Sequence, residues 1–115
     1  MKLIITKNQN KGLMGGVSFE IKAQVQLEDE ERKLIQHYKL ENETLLSKKL
    51  VNFWGQPTDI EIKVLVKHLV AGETYKCKDL GEVISYTESL KNACGTLKGY
   101  MEVARGFGGQ DVFDI

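Results

Sequence analysis

The sequence predicts an α+β domain: a mainly antiparallel sheet of about five strands packed against one long C-terminal helix and a shorter helix, in a single domain spanning residues 1–115. Three observations carry that prediction. Leu80, Val83, Thr87, Leu90, Cys94, Leu97, Met101 and Ala104 recur at steps of three and four, which lays one apolar seam along a helix. Val17, Phe19, Ile21, Ala23, Val25 and Leu27 alternate with polar residues, the period of a strand with one buried face. Ile60, Ile62, Val64 and Val66 repeat the alternation after a turn cluster that holds the single proline, Pro57.

In chain order, residues 2–7 read as a short strand, and residues 8–16 are dense in turn formers, which predicts a hairpin into the strand at 17–27. That strand is long enough to expect a bend or bulge within it. Over residues 28–40 the period becomes helical, with Leu34, Ile35 and Tyr38 on one side. Glu28, Asp29, Glu30 and Glu31 crowd its first turn, where carboxylates meet the positive end of the helix dipole. The acidic run therefore reads as a helix start in preference to a metal or substrate site.

Residues 41–47 read as a loop, and Leu50, Val51, Phe53 and Trp54 lead through the turn at 55–59 into the next alternating run, a second hairpin. A helix over residues 44–54 competes, because Leu46, Leu50, Phe53 and Trp54 also fit one helical face. One helical turn over 67–71 ends at Gly72, and residues 73–78 form a strand feeding the long helix over 79–105. Ile84, Tyr86, Ala93 and Tyr100 widen that helix's seam beyond a bare coiled-coil stripe. Asp79 and Glu82 have capping-box spacing, and Gly106, Gly108 and Gly109 supply the stop. Residues 111–115 are expected to pair as a terminal strand.

Composition narrows the function classes. Sixteen basic and sixteen acidic residues cancel, which argues against nucleic-acid binding, since no basic excess drives counterion release. No apolar run approaches the length of a membrane span, and the first ten residues are a poor signal peptide. Two cysteines outside any CxxC pair agree with a reducing, cytoplasmic setting. The P-loop, Rossmann, nucleophile-elbow, zincin and EF-hand motifs are absent, so the sequence points to no cofactor, no metal and no catalytic residue. His37 and His68 read as surface residues without an orienting partner. Cys77 and Cys94 read as small core hydrophobes, although Lys76 and Lys78 flank Cys77 and cations lower a thiol pKa.

Two candidate surfaces remain. Phe53 and Trp54 stand beside a turn, where large aromatics either close the core or anchor a partner. Gly81, Gly95 and Gly99, with Ser85, Glu88 and Asn92, form a small and polar helix face on which another backbone can lie close; each interior glycine costs about 0.5–1 kcal/mol relative to alanine. These point to a binding or regulatory module, a homodimer first and another protein second. The alternative is a small-molecule-binding protein or small enzyme with a pocket between helix and sheet, for which Tyr38, Cys77, Tyr86 and Tyr100 are the candidate lining. The last third of the chain, with CKDL leading into a long helix that closes in FGG, resembles small uncharacterised bacterial proteins known as hypothetical reading frames. That resemblance implies no activity, cofactor or functional residue.

Overall fold

The computed structural model describes all residues except 13–14, 52–53, 55 and 111, and the side chains of 50–51, 57–58 and 60–62 in addition. The fold is α+β, with five strands among the described residues and a 27-residue helix toward its C-terminal end. The strands divide into two antiparallel sheets where the sequence suggested one. Strands β1 (Lys2–Lys11), β2 (Val17–Gln26) and β5 (Glu73–Cys77) form a sheet of order β1-β2-β5, and β3 (Thr44–Val51) pairs only with β4 (Pro57–Leu65).

The first hairpin is longer than its composition suggests. Asn8, Gln9 and Asn10 are strand residues, paired with Glu20, Phe19 and Ser18 in an unbroken register from Lys2↔Gln26 to Lys11↔Val17. Cross-strand pairing overrides the weak strand propensity of asparagine here. The expected bulge in the second strand is absent from this register. Reversal falls to the glycines: the Gly12 N–H donates to the Gly16 carbonyl and Gly15 takes φ +78°, a conformation glycine adopts without a Cβ penalty.

Ile21, Ala23 and Val25 face the core at 0–3% exposure, and Phe19–Ala23 pair with Cys77–Glu73 of β5. Helix α3 (Leu80–Gly106) covers this face with Val83, Leu90, Leu97 and Met101, buried as the seam predicts, and with the flanker Ala93. The seam's first residue is an exception: Leu80 is 63% exposed, and its flanker Ile84 65%. Both lie at the end of α3 where the chain has only just left β5. Asp79 caps the helix by accepting from the Glu82 N–H at 2.8 Å, while Glu82 reaches back to the Lys78 amide at 3.1 Å.

Residues 44–51 form a strand, not a helix, because they pair with β4 in a register that runs unbroken from Leu46 to Lys49; a shift between Thr44 and Leu46 leaves Leu45 to turn inward to 7% exposure. Helix α1 (Asp29–His37) begins on the acidic run, as the dipole argument predicts, and Lys39 ends it in the left-handed region at φ +54°. Helix α2 (Val66–Ala71) is anchored by Leu69, stopped by Gly72 at φ +94°, and tied to the loop between α1 and β3 by Val66 and Lys67 amides donating to the Glu43 and Glu41 carbonyls. The terminal strand does not form: residues 112–115 carry no regular structure and are exposed, after Gly108 (φ +90°) redirects the chain leaving α3. A radius of gyration of 17.4 Å and extents of 61 × 32 × 23 Å make the molecule elongated, against about 13 Å for a compact chain of about 100 residues.

Candidate functional site

The interaction surface suggested by the sequence separates into two places. Trp54 sits in the β3–β4 turn at 79% exposure, so it is not the lid of the core, and Phe53 lies outside the described residues. On α3, Gly81, Gly95, Gly99 and Gly106 all project opposite the buried seam. A Cβ at Gly95, Gly99 or Gly106 would meet nothing within 4 Å, so no contact within the chain requires those glycines; at Gly81 it would stand 3.2 Å from Oδ1 of the capping Asp79. Around this glycine arc lie exposed apolar side chains, Leu80, Ile84, Val103 and, at the cap, Phe107, each 63–67% exposed. Lys48 of β3 donates to the Ser85 hydroxyl at 3.3 Å and holds the second hairpin along one flank of the helix.

The four candidate pocket residues do not meet in one cavity. Tyr38 stacks on Phe107 with ring centroids 5.6 Å apart, where the ends of α1 and α3 come together. Cys77 and Tyr86 share the corner between β5 and α3, where Tyr75 lies 5.3 Å from Tyr86, and Tyr100 packs separately on the core. Burial pushes the Cys77 thiol up, and the nearby Glu82 and Asp79 carboxylates push it further, so the flanking lysines do not activate it. Burial, Glu73 and Tyr86 push the Tyr75 phenol up to about 12, and its hydroxyl is buried without a hydrogen-bond partner among the described residues. Cys94 is half-buried and its thiol is also raised, chiefly by burial. Among the described residues no hydrogen bond joins any of these groups to an acid or base that would activate it.

Concave surface occurs elsewhere. A cleft of about 490 Å³ runs between the start of β1, the first turn of α1 and the middle of α3, with Leu3, Glu31, Cys94, Gly95, Lys98 and Met101 among its walls. A second, of about 260 Å³, lies between α1 and α2, walled by Arg32, Ile35 and Val66 among others. Neither includes Tyr38, Cys77, Tyr86 or Tyr100. Beside the larger cleft is the one buried charged side chain among the described residues. Glu31, 4% exposed, accepts from the Glu28 N–H at 2.9 Å, lies 3.1 Å from the Met1 ammonium and has Arg105 at 3.7 Å. Burial raises this carboxyl, but the amide, ammonium and guanidinium together outweigh it and leave the pKa lowered.

Sequence reasoning placed Glu31 in the acidic first turn of α1 but not in this pair, and it missed the cleft, because both arise where the first strand closes against two helices. It also misread His68, whose Nδ1 accepts from the Leu65 N–H at 3.2 Å and closes the N-terminus of α2. His37 meets the Tyr38 ring edge-on at 4.8 Å. Among the described residues no group of three or more acidic, histidine or cysteine side chains is placed to hold a metal ion, and no helix is long and apolar enough to cross a membrane. No family model matches this sequence, and no curated protein or solved structure is similar to it.

Proposed function

We propose that this chain is a small binding module that acts by association, first with a second copy of itself as a homodimer through the outer face of α3, and that it works in the reducing cytoplasm without nucleic acid. The observation that carries the reading is the placement of exposed apolar residues on α3. Two identical helices laid antiparallel about a two-fold axis between Ala93 and Cys94 bring Ile84 level with the partner's Val103 and Leu80 level with the partner's Phe107. The same operation sets Gly81 level with the partner's Gly106, Gly95 level with the partner's Asn92, and Glu88 one residue from the level of the partner's Lys98. Apolar residues thus share a level with apolar ones at both ends, and the glycines lie on the face between them. Two-fold pairing is the commonest arrangement of identical chains, and the zero net charge leaves little long-range repulsion against it. Cysteines left free support the reducing compartment, and the segments CKDL and FGG support a bacterial source.

The arrangement is tested by charge exchange. Ile84→Glu places two carboxylates against apolar partners and shifts the protein to monomer, as does Val103→Lys. The double variant Ile84→Glu/Val103→Lys sets opposite charges at the same level twice and recovers the dimer. Two monomeric single variants with no recovery in the double would reject the antiparallel register. A dimer indifferent to both changes and to Trp54→Ala would have to pair along an open strand edge, of which β1 is the longer.

A further inference from the structure

The larger cleft has charges of two kinds. On its α1 side Glu31 is held by the Met1 ammonium, the Glu28 amide and Arg105, and Arg105 in turn donates to Glu30 at 2.7 Å. The α3 side is different. Lys91, Lys98 and Arg105 follow one another at seven-residue spacing, which sets neighbours about 10 Å apart along one flank of the helix. Lys91 is only loosely paired, 3.7 Å from the exposed Glu88. Lys98 makes no ion pair among the described residues, which leaves its ammonium available on the α3 wall, while the Glu28 carboxylate lines the cleft from the α1 side.

Between Lys91 and Lys98 the wall is the bare backbone of Gly95, where any side chain would enter open space instead of packing on the chain. The remaining surface there is apolar: Leu3, Cys94 and Met101. The volume of about 490 Å³ falls in the range of small-molecule sites, and few polar groups beside an apolar wall are their usual lining.

We propose that this cleft binds a small organic anion, its acidic group on Lys98 and its apolar body laid across Leu3, Cys94 and Met101 against the exposed backbone of Gly95. Lysine supplies a point charge for the acid, and the absent side chain at 95 leaves room for the body. The site lies on the flank of α3 that faces α1 but shares Gly95 and Lys98 with the proposed dimer face, so the mass of each variant is measured by light scattering beside its ligand binding.

The probes are anilinonaphthalene sulfonate and its uncharged counterpart phenylnaphthylamine, titrated by fluorescence into the folded protein. Lys98→Glu is expected to weaken the sulfonate by about tenfold or more while leaving the uncharged probe unchanged, since one charge-assisted contact is lost. Lys76→Glu, the same charge change on the exposed face of β5, leaves both probes as they were. Gly95→Leu weakens both, with a thermal melt showing that the variant is folded. Saturating sulfonate also slows modification of Cys94 by a thiol reagent in the unaltered protein, a readout that needs no variant. The proposal is overturned if the folded protein shows no saturable binding, if Lys98→Glu and Lys76→Glu act alike, if folded Gly95→Leu binds both probes normally, or if Cys94 stays unprotected.

Discussion

Glu31 shows how one side chain ties local and tertiary structure together. Its carboxylate closes the first turn of α1 and accepts the Met1 ammonium in a site that excludes most water. A carboxyl whose folded pKa is lowered contributes stability above its unfolded value, about 4.3, and loses it as pH falls through the lower folded value. Urea melts at pH 7 and near pH 3 should therefore show the protein weakening in acid. Glu31→Gln should be less stable at pH 7 by about 1–3 kcal/mol, having left partners unsatisfied, with a smaller loss in acid. An equal acid loss in both proteins would assign it to other groups. Tyr75 makes the opposite case. Its phenol is raised, so its contribution is present below pH about 10 and lost as pH climbs toward about 12. Because the hydroxyl is buried without a partner, Tyr75→Phe should be at least as stable at pH 7, by up to about 1 kcal/mol, and should lose less in alkali. A clear destabilisation would mean the hydroxyl has a partner after all. None of this was legible in the sequence, since a tyrosine on a short strand carries no mark of where its hydroxyl ends.

At the scale of elements, periodicity was the most informative signal. The seam on α3 and the alternation on β2 predicted which faces meet, because each repeats over enough residues to outweigh local exceptions. Leu90 and Leu97 sit at 1% and 0% exposure where seam and sheet meet, so either residue changed to alanine should cost about 2–5 kcal/mol in a thermal or urea melt. Losses below about 1 kcal/mol at both would detach the helix from the core. Boundaries were less legible. The first strand continues through Asn8–Asn10 because β2 offers partners there, and residues 44–51 become a strand because β4 does; both depend on pairing that a single segment does not encode. Residues 111–115 fail in the reverse sense, having strand-forming side chains but, at 112–115, no strand beside them. The pocket residues were chosen for chemistry alone, and the topology sends Tyr38 to one end of α3 and Cys77 to the other.

For the molecule as a whole, the elongated outline leaves a long helix face, an exposed Trp54 and an open β1 edge outside the core. A chain built only to be stable would replace Gly95 and Gly99 by alanine and gain about 0.5–1 kcal/mol at each, because nothing in the fold opposes a Cβ there. Association through α3 gives those positions a reason, and it is the claim on which the functional reading depends. An extended shape alone shifts elution volume, so the deciding quantity is mass. Light scattering coupled to size exclusion at micromolar concentration should return twice the chain mass of 13.0 kDa for the unaltered protein; a species of 13.0 kDa under the same conditions would contradict the account.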